Sequence, residues 1–296
     1  LRVSFFRYCG SFVIAFLVLV VQHPLIAQRR VSEPRSDGHI TQLKVHPPVG
    51  AVSGCAPLAV ISHGAGGSEN GYCYLAKTLS QMGFLAIVMG HHESGGAALR
   101  SDLFKYGVKR GIRMLVTNRQ AEEARLLDVG AALDWAEGKC KPPYRVLLGH
   151  SMGSETVMLE AGARNMIGVS DPPAGQDRFD AYVALSPEGP GIVFPDHAWT
   201  EIRKPLLVLT GTRDQALQGG PQSRKVPWRE MPGSAGGCQW MGVIDGATHL
   251  NFAGIGFGSR HVDSLVTQTI AAFLDGARKG KCTLPPPIAG LTLQAK

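Results

Sequence analysis

Charged side chains are scarce in this 296-residue chain: they make up 18% of it, against 44% hydrophobic residues. A chain so poor in charge and so rich in apolar groups buries enough surface to fold, which excludes disorder and makes one large unit the expectation. Clusters of Lys and Arg are missing too. The net charge of +7 therefore favours solubility and a weak attraction to anionic surfaces, and no nucleic-acid groove is expected. There is no internal repeat, and neither G-x-x-x-x-G-K-[ST] nor a complete G-x-G-x-x-G occurs, which argues against nucleotide binding. No cysteine stands in a C-x-x-C pair, so zinc and dithiol redox chemistry are not expected.

Long apolar runs are lacking as well. The run from Ser11 to Val21 follows Arg2 and Arg7 and is ended by Gln22, His23 and Pro24, which leaves it short of the roughly 20 residues a spanning helix needs. With Leu25, Ile26 and Ala27 as a small-residue cleavage site, residues 1–27 read as a secretory signal peptide rather than an uncleaved anchor, with no membrane span in the mature chain. Leu1 in place of Met points to a bacterial non-AUG start or a trimmed chain. The expected location is secreted or periplasmic. Export makes the cysteines candidates for disulfides. Cys9 leaves with the signal, and Cys55, Cys73, Cys140, Cys238 and Cys282 remain. Five choices of free thiol and three pairings of the rest leave the connectivity open.

Residues 28–57 are rich in Pro, Ser and charge around one short strand at Ile40–Val45. Beyond them, the apolar runs 58–62, 85–89, 145–148, 181–185, 205–210 and 240–244 read as strands buried on both faces. Helical stretches near 74–82, 120–137, 154–163 and 261–276 alternate with them. That alternation predicts an α/β chain with a mostly parallel central sheet flanked by helices, whose ligands sit at the carboxyl ends of the strands. Only about 15 residues separate Ser186 from Glu201, too few for a large cap domain, so the site is expected to be open. Residues 28–282 are expected to form the catalytic domain. Residues 283–296, Pro-rich at their start, are expected to be a solvated tail.

The residues after the strands carry the chemistry. Gly149, His150, Ser151, Met152 and Gly153 spell G-x-S-x-G between a strand and a helix, the context in which a sharp elbow lifts a serine hydroxyl to the sheet edge. The turn crowds the backbone two residues on either side, which is why glycines flank it. A serine hydroxyl is a poor nucleophile without a histidine base oriented by a carboxylate. Asp214 follows one buried strand and His249 follows the last, so both can converge on Ser151. Asp245 and Glu188 are weaker candidates for the acid, and His197 and His261 for the base. The glycine-rich stretch His63 to Gly67 follows the first buried strand; there the amide of Ala65, with that of Met152, can hold a developing oxyanion. His91, in the loop after the strand at 85–89, and Trp199, between Ala198 and Thr200, are candidate substrate contacts, whereas a metal site at His91 and His92 lacks a third ligand.

Taken together, Ser62 to Ser68, Gly149 to Gly153, Gly211 to Asp214 and Gly246 to His249 resemble the serine α/β-hydrolases often labelled dienelactone hydrolases, which are similar to platelet-activating-factor acetylhydrolases and cutinases. The resemblance covers roughly residues 40–276. True dienelactone hydrolases use a cysteine nucleophile and this chain has Ser151, so that substrate label does not carry over. It implies the α/β-hydrolase fold, hydrolysis of carboxylic esters by Ser151, His249 and Asp214, and an oxyanion hole of the Ala65 and Met152 amides. The family topology also implies bridges between Cys55 and Cys140 and between Cys238 and Cys282.

The function expected is thus an exported serine esterase working through an acyl-enzyme, with no cofactor or metal, on a small-molecule or polymeric ester. An acyltransferase or peptidase would use the same triad. A non-catalytic binding scaffold would not need to retain all three triad residues and the glycine loop.

Overall fold

Short runs of residues that are apolar on both faces build the centre of the molecule. The computed structural model describes residues 28–50, 53–170 and 174–296; the expected signal peptide lies outside them. The chain runs β1 (Arg29–Pro34), β2 (Ile40–His46), β3 (Leu58–Ser62), α1 (Cys73–Gln81), β4 (Leu85–Met89), α2 (Gly96–Tyr106), α3 (Val108–Val116), α4 (Arg119–Glu137) and β5 (Arg145–His150). It continues through α5 (Met152–Glu160), β6 (Ala181–Leu185), β7 (Leu206–Arg213), the short α6 (Gly220–Ser223) and α7 (Val226–Glu230), β8 (Gln239–Thr248), α8 (Ser259–Arg278) and β9 (Leu291–Ala295).

The nine strands form one sheet in the order β1-β2-β4-β3-β5-β6-β7-β8-β9. Pairings from β4 to β8 are parallel, and the three outer pairings are antiparallel. Alternate residues of each central strand feed two separate cores. In β3, Leu58 and Val60 join a core under α4 and α5, while Ala59 and Ile61 join one under α1 and α8. The same period of two divides β5, where Leu147 faces one core and Val146 and Leu148 the other. Each fully buried Val, Leu or Ile contributes roughly 1.5–3 kcal/mol, so both layers anchor the sheet. The longest helix in this half, α4, starts at a capping Asn118, whose side chain accepts from the Ala121 amide at 3.1 Å.

Both disulfides form as the family topology implies. Cys55 is bonded to Cys140, tying the chain before β3 to the chain before β5, and Cys238 to Cys282, tying the start of β8 to the chain after α8. Cys73 is free. Among the described residues, no helix is long and apolar enough to cross a membrane.

Two expectations need correction. Residues 283–296 are not a solvated tail: Leu291 to Ala295 pair antiparallel with Trp240 to Ile244 as the last strand of the sheet. Alternation of Leu291 and Leu293 with Thr292 and Gln294 half-buries one face, a signal masked by the preceding prolines. The stretch before β3 holds two strands rather than one, because Arg29–Pro34 adds to β2 as an antiparallel edge rich in charge and ended by proline. No element was expected between His92 and Gln120, where α2 and α3 lie; α2 buries none of its residues and shows no apolar face, whereas α3 is strongly amphipathic and turns Leu115 and Val116 inward.

Candidate active site

The turn between β5 and α5 puts Ser151 in a backbone conformation that side chains avoid, with φ 56° and ψ −124°. Holding it there costs on the order of 1–3 kcal/mol and requires the neighbours to be small. A Cβ on Gly149 would fall on the Gly153 carbonyl, and a Cβ on Gly153 would fall on the Ser62 carbonyl of β3. The two glycines are thus dictated by close backbone approach, and the strained turn is locked between two parallel strands.

Ser151 Oγ lies 2.9 Å from His249 Nε2, and His249 Nδ1 lies 3.0 Å from Asp214 Oδ1. These residues come from the ends of β5, β8 and β7. A shift of register between Gly211 and Arg213 bends the end of β7, and Gly211 lets it pass against the Ala247 carbonyl of β8. Asp214 is fully buried, while the His249 side chain is 31% exposed. Burial pushes the Asp214 carboxyl up, but the hydrogen bond from His249, the charge of Arg224 and the hydroxyl of Ser186 outweigh it, and the group is held below its ordinary value.

Arg224 and Ser186 carry no motif and were not expected. Ser186 directly follows β6, with φ 56°, and its Oγ is 2.6 Å from His249 Nδ1. It lies beside the His249–Asp214 bond, within reach of the imidazole nitrogen and hydrogen-bonded to the carboxylate. Reading the residue after every buried strand would have found it; Arg224 has no such signal. The Arg224 guanidinium is buried, with Nε 2.8 Å from Asp214 Oδ1 and Nη1 bonded to the Ser186 and Pro187 carbonyls. It also faces Glu188 at 3.4 Å. Glu188 is therefore a second-rank partner of Arg224, and Asp245 instead accepts from Thr212 at 3.1 Å. Neither touches His249. His197 is largely exposed near Glu230, and His261 is exposed at the start of α8.

The glycine loop after β3 lies beside Ser151. Among the described residues, the amides of Ala65 and Met152 have no protein acceptor, whereas the neighbouring Gly64 amide donates to Tyr72 Oη at 3.2 Å. The Tyr72 hydroxyl donates in turn to His150 Nδ1 at 2.7 Å, and His150 Nε2 donates to the His249 carbonyl at 3.0 Å. Burial raises the Tyr72 phenol to about 12 and holds the His150 imidazole well below its ordinary value, so this chain stays neutral. Below the loop, Arg125 donates to the His63 carbonyl and to Ser62 Oγ.

A cavity of about 520 Å³ opens over these groups, lined by Ala65, Tyr72, Ser151, Glu155, Leu217 and Leu250 among others. Leu99 of α2 and Ile112 and Val116 of α3 supply another apolar wall. His91 and Trp199 do not reach this cavity. The His91 ring is buried between Ser62 Oγ at 2.9 Å and Asp128 Oδ2 at 2.8 Å, beneath the glycine loop. Trp199 is fully buried against Phe194, ring centroids 5.2 Å apart. Loop position suggested both as contacts, but packing turned them inward. Among the described residues, no group of three metal-ligating side chains occurs.

No protein-family model and no curated protein matches the chain. Among solved structures it is similar to the thermophilic esterase Est2 of Thermogutta terrifontis, with 14% identity over 87% of this chain and 96% of that one and a TM-score of 0.59. Est1E of Butyrivibrio proteoclasticus matches with 16% identity, covering 83% of this chain and 99% of that one, with a TM-score of 0.54. An alpha-beta serine hydrolase homologue from Coxiella burnetii matches with 15% identity, covering 81% and 96%, with a TM-score of 0.52. At these identities the likeness establishes the architecture, which is the α/β-hydrolase fold.

Proposed function

We propose that this chain, an α/β-hydrolase in fold, is an exported serine hydrolase that cleaves carboxylic esters through an acyl-enzyme on Ser151. The observation that carries the reading is one continuous hydrogen-bonded line from Asp214 through His249 to Ser151, at the floor of an apolar-walled cavity. Two disulfides and the apolar N-terminal segment support export.

The mechanism follows from the geometry. His249 Nε2 takes the proton from Ser151 as the hydroxyl attacks the ester carbonyl. Asp214 accepts from Nδ1–H, fixing the tautomer, and its negative charge stabilises the imidazolium; Arg224 and Ser186 keep the carboxylate ionised and aimed. The free amides of Ala65 and Met152 take up the oxyanion, and the loss of one such donor raises a barrier by about 3 kcal/mol. His249 then gives its proton to the leaving alcohol and activates the water that releases the acid. The residues present complete the cycle with no cofactor.

The test is hydrolysis of a p-nitrophenyl ester series from acetate to palmitate by the native protein and Ser151→Ala, with fluorophosphonate labelling of both. Native turnover and labelling, both lost in the folded variant, are expected; an overall fall of at least about 1,000-fold is the scale for a triad nucleophile. Labelling without ester turnover would move the reading to a peptidase or acyltransferase. Neither labelling nor turnover would leave a binding scaffold.

A further inference from the structure

One polar side chain in the cavity is not used by the mechanism. Glu155 lies on α5, four residues from Ser151, lines the cavity and is only 3% exposed. Among the described residues no amide, hydroxyl or guanidinium donates to its carboxyl, and its Oε2 is buried without such a donor. Its neighbour is Glu122 of α4, itself fully buried, and the two carboxyls face each other.

Two ionised carboxylates buried face to face repel each other, so the pair keeps a proton. Their surroundings decide where it sits. Burial raises the Glu122 carboxyl to about 7, and the charge of Arg125 and the Thr156 hydroxyl at 3.4 Å keep it from rising further. Glu155, at the cavity wall, is pushed well up by burial and by repulsion from Glu122 and from Glu188 on the far wall. The proton therefore sits on Glu155, toward Glu122, and the other oxygen is left as a neutral, carbonyl-like acceptor.

The rest of the cavity offers no competing use for that acceptor. Glu188 is taken up by Arg224 and by the amides of Leu217 and Gln218 at 3.4 and 3.2 Å. The Arg224 donors are engaged by Asp214, Glu188 and main-chain carbonyls. The apolar part of the lining, Leu99, Ile112, Val116 and Leu217, suits a hydrocarbon chain. An otherwise apolar chain that brings its own donor gains a bond at Glu155, and one without a donor leaves a buried acceptor dry.

We propose that Glu155, held by Glu122, is a specificity-determining residue that selects esters carrying a hydroxyl group on an aliphatic chain. The inference rests on the ester-hydrolase reading above and adds the chemical class of the substrate.

The test compares matched esters with the hydroxyl on either side of the scissile bond: ethyl hexanoate with ethyl 6-hydroxyhexanoate, and hexyl acetate with 6-hydroxyhexyl acetate, followed by pH-stat titration. The readout is the ratio of kcat/KM within each pair, in which any general damage to the triad cancels. The native protein is expected to favour the hydroxylated member of at least one pair by about tenfold, the scale of one neutral hydrogen bond. Glu155→Gln should keep the preference, since its amide N–H can donate to Glu122 and leave the carbonyl facing the cavity. Glu155→Leu should abolish or reverse it. Equal rates in both native pairs, or a preference that survives in Glu155→Leu, overturn the assignment while the ester reading stands. If the native protein cleaves none of the four esters and no p-nitrophenyl ester, the hydrolase reading itself falls, and this assignment with it.

Discussion

At the scale of single residues, the proposed triad is held from two sides by side chains outside it. Arg224 and Ser186 hold Asp214 and His249 from one side. From the other, the line Gly64, Tyr72, His150 links the glycine loop to the main chain of His249, so the proposed oxyanion donor and base share one support. Tyr72→Phe removes the hydroxyl at the middle of that line and leaves the Gly64 amide without its acceptor. The expected outcome is a fall of about tenfold in kcat with little change in KM, because the loss bears on the alignment of the Ala65 amide in the transition state rather than on substrate binding. Steady-state kinetics on one short ester decide it. An unchanged kcat would show that the loop holds its position without Tyr72.

Elements, rather than residues, account for the arrangement of the site. The elbow between β5 and α5 holds Ser151, the bent end of β7 carries Asp214, and β8 runs on to Thr248 so that His249 starts a short 3-10 turn at its end. That turn packs against α1 and α8, where the Tyr74 hydroxyl donates to the Phe252 carbonyl at 2.8 Å. Asp263 on α8 is close by, with one oxygen buried and unpartnered, and burial raises its carboxyl from 3.8 to about 6. A raised value means that the folded protein holds a proton the unfolded chain has released. The associated stability is full below about pH 4 and is lost as pH rises through about 6. Asp263→Asn keeps the neutral form at every pH, so the variant should gain on the native protein by about 1 kcal/mol between pH 4 and 7, allowing for partial solvent screening. Urea unfolding of both proteins at the two pH values measures this. A constant difference would show that Asp263 is ionised in the folded state.

Across the whole molecule, one sheet divides two cores, and two disulfides tie elements that belong to the core under α1 and α8 and to the β3–β5 seam. The bridges close 85 and 44 residues of chain. Chain-entropy arguments give each a contribution on the order of 4 kcal/mol, so full reduction should lower Tm by about 10 °C or more in calorimetry. The oxidised protein should offer Cys73 to a thiol reagent while the four bridged cysteines stay protected. An unchanged Tm with every thiol shown to be reduced would refute that contribution.

The sequence by itself determined the central strands and the candidate triad. Strands buried on both faces must be continuous apolar runs, and the residues following 145–148, 205–210 and 240–244 are where a parallel sheet collects its chemistry. The glycines flanking Ser151 were legible for the same kind of reason, since only a missing Cβ permits that turn. The tertiary structure alone decided what came from far along the chain. Arg224 reaches Asp214 from a short helical segment with no pattern, and β9 joins the sheet after a run of prolines. Glu122 and Glu155 meet across two helices, while His91 and Trp199 turn inward from their loops. Periodicity and motif spacing record local geometry and burial; which distant polar groups share a proton or a guanidinium depends on how the layers pack, and no local signal encodes that.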